Sequence, residues 1–175
     1  MQIAVYGGSF NPPHVGHAMV AAWLRWTKQV DSVWLVPAFD HAFSKELAPF
    51  DVRMRACLAL ASLVDAHVSP IESTLPKPSY TWNTLCVLRE RHPEHRFRLV
   101  VGADTLNDTD AWHRWADIEL EFKPIVVGRG GYPPVPGAPT FPEVSSTHIR
   151  ALLAEGKPVD HLVPASVLAV LRSSS

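Results

Sequence analysis

A chain of 175 residues that is 47% hydrophobic and 19% charged has the make-up of one well-filled globular domain, expected here over residues 1–175. Lys and Arg number 16 against 17 for Asp and Glu, a net charge of −1 with no basic stripe, which argues against a nucleic-acid partner. No apolar run reaches the roughly 18 residues of a membrane span, and MQIAVYGG lacks a basic leader, so a cytoplasmic protein away from membranes is expected.

MQIAVY predicts a buried first strand, and HAMVAAWLRWTKQ an amphipathic helix with Lys28 near its end. SVWLVP follows as a strand stopped by Pro37, then FDVRMRACLALASLV as a helix with Asp51 near its start. AHVSPI is a short strand, SYTWNTLCVLRERHP a helix ended by Pro93, and RFRLVVGAD a strand that opens into a loop at Gly102. Cys57 and Cys86 fall inside these helix-like stretches without metal-ligand spacing and are expected as buried thiols in a reducing compartment. KPIVVGR is a fifth strand. GGYPPVPGAPTFP packs five prolines and three glycines into thirteen residues and is expected to continue neither sheet nor helix, acting as an extended connector. SSTHIRALLAE, with a hydroxyl N-cap and a stop at Gly156, opens a helical C-terminal part from about 145. PASVLAVLR is the last helix. This alternation implies an α/β fold with a parallel sheet and helices on both faces, whose sites lie at the carboxyl ends of the strands.

GGSFNPPHVGH, residues 7–17, occupies that position after the first strand. Gly7 and Gly8 are expected to permit a sharp turn and close approach of a ligand to the backbone. The helix that follows offers free N–H groups and the positive end of its dipole to an anion. His14 and His17, three apart, share a face and can donate to phosphate oxygens. Gly16 between them is expected to leave room for a base or ribose. A zinc-type site would need a third ligand nearby and no glycine pair, so phosphate is the better match. A second grip is expected at SSTHIR, residues 145–150. Ser145 or Ser146 can cap that helix, and the Ser146 and Thr147 hydroxyls converge with its first N–H groups. Arg150, one turn on, adds a permanent charge and a forked donor set.

GGSFNPPHVGH resembles the signature of the HxGH nucleotidyltransferases, and SSTHIR their later S-S-T-x-I-R segment. The resemblance implies a Rossmann-like, doubly wound parallel sheet of about five or six strands. PSYTWNTL (78–85), VVGADTLNDTDAWHRW (100–115) and LLAEGKPVDHLVPASVLAVL near the end resemble the nicotinate-mononucleotide adenylyltransferases within that group. The implied reaction transfers AMP from ATP to nicotinate mononucleotide, giving deamido-NAD and pyrophosphate, with Mg2+ carried mainly on the substrate phosphates.

Residue by residue, the resemblance implies catalytic roles for His14, His17 and Arg150. It implies ATP contacts from Gly7, Gly8, Ser9, Phe10, Gly16, Gly102, Asp104, Ser146 and Thr147, with Asp104 on ribose hydroxyls. It implies an acceptor site built from Lys45, Tyr80, Thr81, Trp112 and Arg129, with Trp112 stacked on the pyridine ring. Three departures fall around that acceptor. His41 and Lys45 replace a P-P-H-K run at looser spacing, Asn83 stands where aspartate is common, and GRGGY replaces R-P-G-Y, leaving Arg129 as the matching arginine. Nicotinamide mononucleotide, phosphopantetheine and a sensor without turnover stay open as alternatives, as does a homo-oligomer.

Overall fold

The computed structural model describes residues 1–39 and 47–174. Six parallel strands form one sheet: β1 (Gln2–Gly8), β2 (Ser32–Pro37), β3 (His67–Val68), β4 (Arg96–Gly102), β5 (Ile125–Arg129) and β6 (Thr140–Phe141). Their order across the sheet is β3-β2-β1-β4-β5-β6. The chain thus winds outward from β1 to β3 and returns to lay β4 against β1. Between β1 and β4 the winding reverses, and there the loops leaving the strands diverge into a crevice.

Side-chain alternation in the strands divides the core in two. Ala4, Val33, Leu35 and Val100 point to one face, where they meet Leu24 of α1 (Val15–Trp26), Leu60 of α2 (Phe50–Val64), Ile149 of α5 (Ser146–Ala154) and Val167 of α6 (Ala165–Arg172). Ile3, Val5, Leu99 and Val101 point to the other, against Leu85 and Leu88 of α3 (Thr81–Arg91) and Ile118 of α4 (Trp115–Phe122). A strand buried on both faces reads as one unbroken apolar run, which is why MQIAVY and RLVV show no polar alternation. Fully buried side chains such as Leu60 each contribute about 1.5–3 kcal/mol of burial energy. The stop after α5 is built from glycine as expected. Gly156 adopts φ +68, and the Gly156 and Lys157 N–H groups donate to the Leu153 and Leu152 carbonyls.

Four expectations need correction. The proline-rich connector contains the edge strand β6, because pairing there draws on carbonyls, which proline keeps. Gly128 N–H donates to Pro139 O at 2.7 Å and Gly130 N–H to Phe141 O at 2.7 Å. A Cβ at Gly128 would sit 3.0 Å from the Pro139 carbonyl, so glycine lets β5 and the segment entering β6 come that close. The region after Gly102 is not a loop throughout: a 3₁₀ helix covers Ala103–Ala111 before α4. Gly7 and Gly8 continue β1 instead of turning, and the positive φ of the bend, 46°, falls on Phe10. Of the cysteines, Cys57 is fully buried and Cys86 half-buried, both free.

Candidate active site

α1 begins without a Ser, Thr, Asp or Asn at its N-cap; His14 takes that position in extended conformation, φ −146 and ψ 176. Its backbone N–H donates to Nδ1 of His17 at 3.2 Å, three residues on. A nitrogen that accepts carries no proton, so the ring proton of His17 sits on Nε2, where it can donate a hydrogen bond to a ligand. The two imidazoles lie with centroids 3.8 Å apart. Gly16 makes that arrangement fit: a Cβ there would come within 3.0 Å of the His14 ring. Its missing side chain thus serves the histidine first.

Burial pushes the pKa of His14 down to about 4, with the Arg129 charge adding to it. Burial likewise holds His17 well below the ordinary imidazole range, with His14 and Arg129 contributing. Both rings are therefore neutral donors at pH 7, and a polyphosphate beside them would raise their affinity for protons.

The second motif is bound onto the first. Ser145 caps α5 by accepting the His148 N–H at 3.4 Å. Ser146 Oγ donates to Pro12 O at 2.9 Å and Arg150 Nη1 to Asn11 O at 2.7 Å, across 134 and 139 residues of chain. Arg150 Nη2 also donates to Thr147 Oγ1 at 3.3 Å. His14, His17, Ser146, Thr147 and Arg150 line one cavity of about 850 Å³ over the carboxyl ends of β1, β4 and β5. Asp104 and Arg129 face each other across the same wall, with Arg129 Nη1 3.9 Å from Asp104 Oδ2 and Nη2 donating to Val144 O at 3.1 Å.

A second cavity of about 510 Å³ opens on the α3 side, lined by Tyr80, Thr81, Trp112 and His113. The Trp112 ring stands edge-on to Trp115 at 5.5 Å, and Tyr80 lies 4.6 Å from His113. Tyr6, Ser9 and Gly102 line both cavities, so the two meet.

Of the expected ATP contacts, Gly16, Asp104, Ser146 and Thr147 line the larger cavity, and Ser9 and Gly102 line both. Gly7 and Gly8 line only the smaller, where the Cβ position of Gly7 is open space. Phe10 is 1% exposed and lines neither; its ring lies 4.8 Å from that of His17 and supports it from below. Tyr80, Thr81 and Trp112, expected around the acceptor, come together in the smaller cavity, whereas Arg129 stands on the larger one beside the histidines. Lys45 and His41 lie outside the described residues.

Two charged residues escape the sequence reading. Arg53 on α2 is 3% exposed and donates to three carbonyls: Nε to Ala48 at 2.9 Å, and Nη1 to Ser9 at 3.0 Å and Ala38 at 2.7 Å. It ties the wall common to both cavities to the segments flanking β2 and α2. Its signal was a charge at the head of the apolar stripe Ala56, Cys57, Leu60, Ala61, Val64. Glu72 lines the smaller cavity, accepts from Phe39 N–H and Thr84 Oγ1 at 3.2 Å each, and has its pKa raised by burial. It belongs to a four-residue 3₁₀ helix, too short to show a pattern.

The sequence profile of the cytidylyltransferase-like family matches residues 5–152. A "Probable nicotinate-nucleotide adenylyltransferase" of Anaeromyxobacter sp. (strain K) is 51% identical over 171 residues, spanning 95% of this chain and 91% of the relative. Its namesake in Myxococcus xanthus (strain DK1622) is 42% identical over 175 residues, spanning 98% and 92%. Among solved structures, the Plasmodium falciparum nicotinic acid mononucleotide adenylyltransferase complexed with NaAD shares the fold at a TM-score of 0.79 and 20% identity, covering 99% of this chain and 95% of that one.

Proposed function

The chain belongs to the cytidylyltransferase-like family, among its nicotinate-nucleotide adenylyltransferases, and we propose on that footing how it transfers AMP from ATP to nicotinate mononucleotide. The larger cavity takes the triphosphate, and the smaller takes the mononucleotide with its pyridine ring on the Trp112 face and the Tyr80–Thr81 backbone at its carboxylate. The acceptor is a phosphate monoester already anionic at neutral pH, so no side chain need remove a proton. One of its oxygens bonds to the α-phosphorus as the bond to the β-phosphate oxygen breaks, and pyrophosphate leaves with the electron pair. His17 Nε2–H, the His14 ring and Arg150 donate to phosphate oxygens as charge moves onto the leaving group. Asp104 is suited to ribose hydroxyls.

Mg2+ enters this reading as part of the substrate. Among the described residues no cluster of His, Cys, Asp and Glu is built to hold an ion, and Asp104 is the one carboxylate on the larger cavity's wall. An ion riding on the triphosphate fits that wall and supplies neutralisation of the departing pyrophosphate. No described helix is long and apolar enough to cross a membrane; a cytoplasmic setting is part of the reading proposed here, in keeping with two free cysteines.

The observation that carries the proposal is the pair of bonds from Ser146 and Arg150 to the Asn11–Pro12 carbonyls, which merges two remote phosphate motifs into one cavity. Pyrophosphate release from ATP, measured with nicotinate mononucleotide, its amide and phosphopantetheine, tests it. The highest kcat/KM is expected with nicotinate mononucleotide. An equal or higher value with either rival would overturn the acceptor assignment.

A further inference from the structure

The two cavities share Tyr6, Ser9 and Gly102, and Tyr6 is the one residue of the three that brings an aromatic side chain to that junction. Alternation along β1 turns Tyr6 away from the Ile3 and Val5 face and toward α1. There its ring lies 5.8 Å from His17 and 5.9 Å from Phe10. The charges of Arg129 and Asp104 both act on the phenol, and burial raises its pKa above the ordinary range, so it holds its proton at every working pH. Among the described residues no hydrogen bond engages the hydroxyl, which leaves that proton free for a ligand. Phenylalanine would pack against Phe10 and His17 equally well, so packing alone does not account for the oxygen.

In a transfer between two bound substrates, the moving group must lie where their cavities meet. That group is the α-phosphate, whose non-bridging oxygens gain charge as the acceptor oxygen closes in. Resting on the adenylyl-transfer reading above, we propose that Tyr6 is a further catalytic residue whose hydroxyl donates a hydrogen bond to a non-bridging α-phosphate oxygen, next to the His17 donor. The bond from the acceptor oxygen to phosphorus forms, the bond to pyrophosphate breaks, and Tyr6 keeps its proton throughout. A donor aimed at the transferring group acts on turnover more than on the binding of either substrate.

Tyr6→Phe removes one oxygen and leaves the ring. In steady-state pyrophosphate release, kcat is expected to fall roughly 10- to 100-fold, with KM for ATP and for nicotinate mononucleotide each within about 2-fold of wild type. Thermal unfolding of the variant is expected to match or exceed that of wild type, which separates the effect from misfolding. A kcat within about 2-fold of wild type, or a loss confined to KM, overturns the role of Tyr6 alone. A wild type that releases no pyrophosphate from these substrates overturns the adenylyl-transfer reading and the role with it.

Discussion

The two cavities are built from different materials. The larger is walled by helix starts, imidazoles, hydroxyls and two arginines, and its key side chains are held by bonds to backbone carbonyls. The smaller is walled by aromatic faces, small residues and one half-buried carboxyl, that of Glu72. A wall of fixed donors binds any triphosphate, whatever it is attached to, while a wall of rings and shape chooses among acceptors. On the proposed function, chemistry would belong to the first cavity and specificity to the second.

The largest effect is expected from His17→Ala, which should lower kcat by about 10²–10³ while leaving both KM values within a few-fold. Near-normal turnover would dissolve the division. Arg53→Met sharpens it differently, because Arg53 serves the wall both cavities share. Three carbonyls lose their donor, and chemical denaturation should show a loss of about 3 kcal/mol or more. A loss under about 0.5 kcal/mol would remove Arg53 from the account. Trp112→Ala is expected to weaken acceptor binding on the order of 10-fold in calorimetry, with ATP affinity unchanged. Equal losses for both ligands would place the ring outside the acceptor's exclusive wall.

A further effect concerns pH. The unfolded chain binds a proton on His14 below about 6.5, whereas the folded chain refuses it until about 4. Stability is therefore fully present above 6.5 and falls as the pH drops toward 4, by at most about 1.4 kcal/mol per pH unit for this residue. His14→Asn should lose less stability between pH 7 and pH 5 than wild type does. Parallel losses would mean that the ring titrates normally in the fold.

The first cavity was far more legible than the second, for a physical reason. Phosphate binding uses local devices, a glycine-rich strand end, an N-cap and a helix start, and each occupies a few consecutive residues. His14, His17, Ser146, Thr147 and Arg150 could be picked out for that reason, and the helix over residues 50–64 followed from its apolar spacing. The pairing partners could not. That Arg150 reaches Asn11 and Arg53 reaches Ser9 depends on how the chain folds back, which spacing does not encode. Arg129, expected around the acceptor, sits at the end of β5, and sheet order carries that strand to the wall of the larger cavity, away from Tyr80 and Trp112. Proline content hid β6, since composition counts missing donors and not the carbonyls that pair.

Titration calorimetry of ATP against wild type and Arg150→Gln bears most directly on the joining of the two motifs. Loss of a charged, forked donor aimed at the triphosphate is expected to weaken ATP at least about 10-fold and to leave nicotinate mononucleotide binding as it was. Unchanged ATP affinity in that variant would contradict a triphosphate site assembled from both ends of the chain.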